Sequence, residues 1–128
     1  MAATRYAIRF NKLSDLLFRG FFIRPKACFA ELVADQIRVQ MGWAFRARFR
    51  RSDVARSQLG TTGMILGLGV HGFAGRWLVN GSLDGLVTLH LEPTQRAFVL
   101  GVPVKLRELQ LSLDEPEAFL GALQARAA

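Results

Sequence analysis

The sequence predicts a mainly β (α+β) fold, an antiparallel barrel or sandwich of about seven strands capped by a C-terminal helix. Three observations carry this. Apolar and polar residues alternate with period two through much of the chain. Turn dipeptides such as Asn80-Gly81 and Asp84-Gly85 punctuate the alternation. A helical apolar stripe (Phe119, Leu120, Leu123) closes the chain.

The elements follow in order. Tyr6, Ile8 and Phe10 alternate with Arg5, Ala7 and Arg9 in a first strand. Ser14-Asp15 suits the cap of a short helical turn over Leu16, Leu17 and Phe18 that Gly20 ends. Residues 28–34 and 37–41 read as a hairpin with Asp35-Gln36 at its bend, Ile37, Val39 and Met41 sharing one face. After Gly42, Trp43, Phe45, Ala47 and Phe49 interleave with Arg46, Arg48 and Arg50, which places both Trp43 and the later Trp77 on the core side. A glycine-rich stretch over 60–75 reads as an inter-strand loop. Residues 76–80 and 86–91 then read as a second hairpin, and 104–113 as a last strand with Leu109, Leu111 and Leu113 inward and a bulge near Arg107-Glu108. Asp114 as N-cap, Glu117 three residues on and Pro116 in the first turn start the closing helix, which runs to about Arg126.

Length bounds the reading to one domain over 1–128. A hydrophobic fraction of 51% and a mean hydropathy of +0.21 predict a well-filled core and leave room for an apolar association surface, including a homo-oligomer contact. The longest apolar run, 64–70, falls far short of the ~20 residues of a spanning helix. The first residues lack a signal-peptide layout, and a single cysteine, Cys28, precludes an internal disulfide. The expectation is a cytoplasmic protein, with peripheral membrane association left open.

The order of elements and the stretch 111–120 (LSLDEPEAFL) resemble pleckstrin-homology-like (PH-like) domains of bacteria. The stretches Gly69-Val70-His71-Gly72 and 75–81 (GRWLVNG) are similar to short uncharacterised proteins of high-GC bacteria. The resemblance implies a curled sheet plugged by a terminal helix. It implies little chemistry, since such domains variously bind phosphoinositides, peptides or proteins.

Motifs for chemistry are weak. Residues 67–72 match G-x-G-x-x-G, but a strand follows where the dinucleotide fingerprint needs a helix. His71 and His90 lack zinc-pair spacing, and Gly81-Ser82-Leu83-Asp84-Gly85 is not a nucleophile elbow. No catalytic, metal or cofactor residue is assigned. The apolar, cation-flanked segment 16–26 reads as core packing in preference to a membrane wedge.

Charge is the remaining signal. The net charge is +7 with a pI near 11.0, and residues 1–56 carry 12 Lys+Arg against 4 Asp+Glu. Arg46, Arg48 and Arg50 fall on one strand face about 7 Å apart, twice the strand rise. Arg51 continues the patch and Arg38 joins from the neighbouring strand. Guanidinium rows suit phosphate or carboxylate partners; the competing reading is a solvated face masked by Asp53, Glu31 or an oligomer contact. The expected function is an interaction module recognising an anionic partner, a protein or an anionic membrane surface. Sequence-specific nucleic acid is disfavoured because the aromatics alternate away from the arginines. The alternatives are a lipocalin-like carrier of a small apolar ligand and an enzyme using His71.

Overall fold

Strand pairing is dictated by the inward rows. The computed structural model describes residues 3–12, 16, 19–20, 23–60 and 69–127, leaving aside the side chains of 25, 71, 73 and 125–127. Strands β1 (Ala3–Ala7), β2 (Cys28–Val33), β3 (Gln36–Met41) and β4 (Phe45–Arg50) form an antiparallel meander. Ile37, Val39, Met41, Phe45, Ala47 and Phe49 point inward and are buried, as the alternation requires. After a 3-10 turn (Arg51–Asp53) the chain continues as β5 (Val54–Leu59). β6 (Gly69–Phe73) and β7 (Arg76–Asn80) make a hairpin, and β8 (Leu86–Val99) and β9 (Val102–Ser112) a long one.

The nine strands among the described residues join one sheet, eight of them in the order β1-β2-β3-β4-β8-β9-β7-β6 and β5 paired to β8. β5 lies beyond β4 along the same edge of β8, so β4 and β5 act as one bent strand. The sheet curls until the segment after β1 reaches the end of β9. Ile8 bridges Leu113, the Arg9 N–H donates to the Ser112 carbonyl at 2.9 Å, and the Asp114 N–H donates to the Ala7 carbonyl at 3.0 Å. Here Gly81 is required: a Cβ on it would lie 2.7 Å from the Arg9 carbonyl oxygen. Helix α1 (Pro116–Ala127) plugs one end with buried Phe119, Leu120 and Leu123, Phe119 meeting Tyr6 edge-on at 5.3 Å between ring centroids. The interior is filled by Phe45, Met41, Leu89, Leu106, Leu109, Leu111 and Phe119, all fully buried.

The mainly β architecture with a capping helix is as expected; several details differ. Residues 76–80 and 86–91 are not hairpin partners. β7 runs parallel to β9, which separates it from β8, because the Leu109/Leu111 row offers β7 a buried neighbour that local turns do not reveal. β5 and β6 occupy stretches without strand alternation, so His71 lies on a strand instead of a loop. The β2–β3 bend falls one residue early, at Ala34 in the left-handed region with φ 54°. Trp43 is 55% exposed: Gly42 (φ 54°) opens a turn, and the inward parity begins only at Phe45. Trp77 is half-buried against the core, its Nε1–H donating to the Lys105 carbonyl. The helix starts at Pro116, so Asp114 lies before its cap and pairs with Arg9 at 3.7 Å. The bulge near Arg107 is present, with its extra residues in β8 between His90 and Gln95. The short helical turn expected over 14–20 falls largely outside the described residues.

Candidate anion-binding face

The outer face of β3, β4 and the distal half of β8 collects cations because their inward partners are apolar. On β4 the pattern is strict: Phe45, Ala47 and Phe49 are buried, and Arg46, Arg48 and Arg50 are exposed. Register then aligns the strands. Arg38 lies opposite Arg48, and Gln40 opposite Arg46. Arg46 lies opposite Phe98, so one step past the Ala47–Ala97 pair Arg48 comes beside Arg96, which itself lies opposite Lys105. Arg38, Arg46, Arg48, Arg96 and Phe98 line one open groove of about 490 Å³. The Arg46 guanidinium stands 5.8 Å from the Phe98 ring centroid.

The row's one acid lies past Arg38, between it and Arg5 on β1. Glu31 is buried and accepts from Arg5 Nε at 2.6 Å and from Arg38 Nη1 at 2.9 Å. The Arg5 hydrogen bond outweighs the upward push of burial and, with the charges of Arg5 and Arg38, holds the Glu31 carboxyl below the usual carboxylate range. Arg50 is held 3.6 Å from Asp53, whose carboxylate also accepts the Arg50 N–H. Among the described residues no carboxylate lies within 4.0 Å of Arg46, Arg48, Arg96 or Lys105. The masking considered from sequence therefore reaches Arg38 and Arg50 and stops there.

Arg51 does not continue the patch. The 3-10 turn swings it to the barrel end, where Nε donates to the Ala34 carbonyl at 2.9 Å and Nη1 to the Ala122 carbonyl at 3.3 Å, tying α1 to the β2–β3 bend. Arg96 and Phe98 lie in the second half of β8, beyond the 86–91 expected from sequence, and Lys105 joins them only through the β8–β9 register. The alternation of Arg96 and Phe98 with Ala97 and Val99 was the available signal.

A second row crosses β8 on the other side of the bulge: Arg56, His90, Glu108 and Arg76 are successive neighbours on β5, β8, β9 and β7. It borders a groove of about 570 Å³ that Arg107 also lines. Glu108 is buried, 2.9 Å from Arg76 Nε and 3.5 Å from His90 Nδ1. Burial pushes its carboxyl up, but hydrogen bonds from Arg76 and Gln110 and the charges of Arg76 and His90 bring it below the usual range. His90 Nε2 is enclosed and has no hydrogen-bond partner among the described residues. The side chain of His71 lies outside the described set.

Cys28 is buried, its thiol donating to the Arg24 carbonyl at 3.3 Å; burial pushes its pKa up to about 11, against a hydrogen bond involving the Gly42 backbone. At neutral pH it is a protonated core residue, unsuited to nucleophilic attack. Among the described residues no His/Cys/Asp/Glu cluster has metal-binding geometry, and no helix is long and apolar enough to cross a membrane. No family model, curated protein or solved structure matches this chain.

Proposed function

We propose that this protein is a binding module that recognises an anionic partner through the outer face of β3, β4 and the distal half of β8. One observation carries the reading: Arg38, Arg48, Arg96 and Lys105 stand in a cross-strand row whose single carboxylate lies beyond Arg38. Like charges directly opposite one another destabilise a sheet. Two unit charges about 5 Å apart repel by about 0.8 kcal/mol even in bulk water. A fold that accepts this repeatedly on an open groove presents guanidinium forks for phosphate or carboxylate oxygens. The filled interior supports a surface binder over a carrier of a ligand inside the barrel. Kinship with PH-like domains belongs to this proposal, supported by the curled sheet and its plugging helix, as does a cytoplasmic location.

The test is calorimetric titration with inorganic tripolyphosphate, at low and at physiological salt. The wild type binds, binding weakens as salt rises, and Arg46→Gln/Arg48→Gln/Arg96→Gln removes most of the affinity. A wild type that does not bind at low salt, or a triple variant that binds equally well, overturns the reading.

A further inference from the structure

The basic face ends at a barrel rim made of two neighbouring turns, β3–β4 and β8–β9. Four of the seven large apolar side chains exposed among the described residues belong to this end: Trp43 at 55%, Leu100 at 61%, Val102 at 59% and Phe98 at 36%. They are held together. The Leu100 N–H donates to the Ala44 carbonyl at 3.0 Å, Val99 pairs with both Phe45 and Val102, and Trp43, Phe98 and Gly101 line one depression with Arg46.

Leu100 is the least expected residue in the turn. It adopts φ 52°, followed by Gly101 at 81°, a pair of left-handed positions that favours Asn-Gly or Gly-Gly. A leucine there is strained and also leaves its side chain in water. Strain kept at an exposed tip points to a use for that side chain.

The rows behind the tip are ordered by polarity. Two residues back stand Arg46 and Phe98, about 7 Å from the tip at the usual strand rise; two further back stand Arg38, Arg48, Arg96 and Lys105, at about 14 Å. Leu100, Val102 and Trp43 at the turns, Phe98 with Arg46 in the next row and cations alone in the row behind match the order of the layers in one leaflet: acyl boundary, interface, headgroup phosphates.

We propose that this rim docks on a lipid bilayer containing anionic lipids, with Leu100, Val102 and Trp43 at the acyl boundary, Phe98 and Arg46 at the interface and the cation row behind them over the headgroups. The inference rests on the anion-binding reading and names its partner. A phosphodiester backbone offers nothing to the aliphatic tip, and a second copy would bring one basic face against another.

The experiment is flotation with phosphatidylglycerol/phosphatidylcholine vesicles and with pure phosphatidylcholine vesicles, in a Trp77→Phe background so that Trp43 is read alone. The chain floats with the anionic vesicles only, and Trp43 emission shifts to the blue and is quenched by brominated acyl chains. The variant Leu100→Asn/Val102→Thr, in which asparagine suits the left-handed turn, loses about tenfold or more of vesicle affinity along with the quenching. It keeps the wild-type melting temperature and tripolyphosphate binding. Absence of flotation with anionic vesicles, or flotation unaffected by the tip variant, overturns the inference. If tripolyphosphate still binds in those cases, the bilayer alone fails, whatever the chain does with DNA; if it does not, the anion-binding reading fails too.

Discussion

The two rows that cross β8 use the same kinds of residue and reach opposite electrostatic states. Toward the β8–β9 tip, Arg38, Arg48, Arg96 and Lys105 are consecutive neighbours and the acid Glu31 lies to one side of all four, shared between Arg5 and Arg38. Past the bulge, the acid is central: Glu108 is buried between His90 and Arg76. One carboxylate in the middle makes its neighbours part of the fold. The same carboxylate at the edge leaves cations for an outside partner. The bulge permits both, because its extra β8 residues shift the register between His90 and Gln95.

The sharpest way to break this comparison is to remove the central acid. Replacing Glu108 with Leu leaves Arg76, His90 and Gln110 without their shared acceptor in a mostly buried setting. The expected loss is about 3 kcal/mol of stability, at the low end for a broken buried pair because Arg76 can turn to water. For a domain of this size that lowers Tm by about 10 °C. Urea unfolding checks it. A loss under about 1 kcal/mol means that Glu108 is no keystone and that the two rows do not differ in kind.

Acid titration gives a smaller effect with a defined sign. Glu31 and Glu108 both have folded pKa values below the ordinary one. The unfolded chain therefore takes up their protons first as pH falls. Their contribution is complete above the ordinary carboxylate range of about 4.3 and is lost as pH drops through the lower folded values. Urea midpoints should stay flat from neutral pH to about 5 and fall below it. In a Glu31→Gln/Glu108→Gln variant the acid fall is shallower. Identical slopes in the two proteins sink the assignment.

What was legible in the sequence was whatever one buried face writes in alternation. Ile37/Val39/Met41, Phe45/Ala47/Phe49 and Leu109/Leu111/Leu113 gave the inward rows, and Arg46, Arg48 and Arg50 followed as their complement. β5 was hidden because only its edge meets β8 and much of it stays exposed, so its residues need not alternate. The parallel β7–β9 pairing rests on residues some thirty positions apart, such as Trp77 and Leu109, and no turn dipeptide encodes that choice. Arg51 adjoins Arg50 in sequence, yet at the 3-10 turn Arg50 stays exposed beside Asp53 while Arg51 turns to the Ala34 and Ala122 carbonyls. The second half of the basic row lies past the register shift in β8, beyond the 86–91 whose alternation marked a strand.

The smallest effect separates binding from folding most cleanly. Arg48 stands between Arg38, half-neutralised by Glu31, and Arg96, which has no acid within 4.0 Å among the described residues. Removing its charge with Arg48→Gln relieves repulsion on both sides, while the glutamine keeps most of the aliphatic stem over the sheet. The expected gain is about 0.5 kcal/mol at low salt, fading as the Debye length shrinks to about 3 Å at 1 M. Arg76→Gln, the matching change in the other row, should destabilise by about 1–2 kcal/mol with little salt dependence, since its partner is buried. Opposite signs for one substitution in two rows of one sheet make the comparison quantitative. If Arg48→Gln also destabilises at low salt, Arg48 is holding the fold and the excess of cations is structural. If it stabilises while weakening tripolyphosphate binding, stability has been yielded at this position for recognition, as expected where a binding surface keeps charges the fold alone does not need.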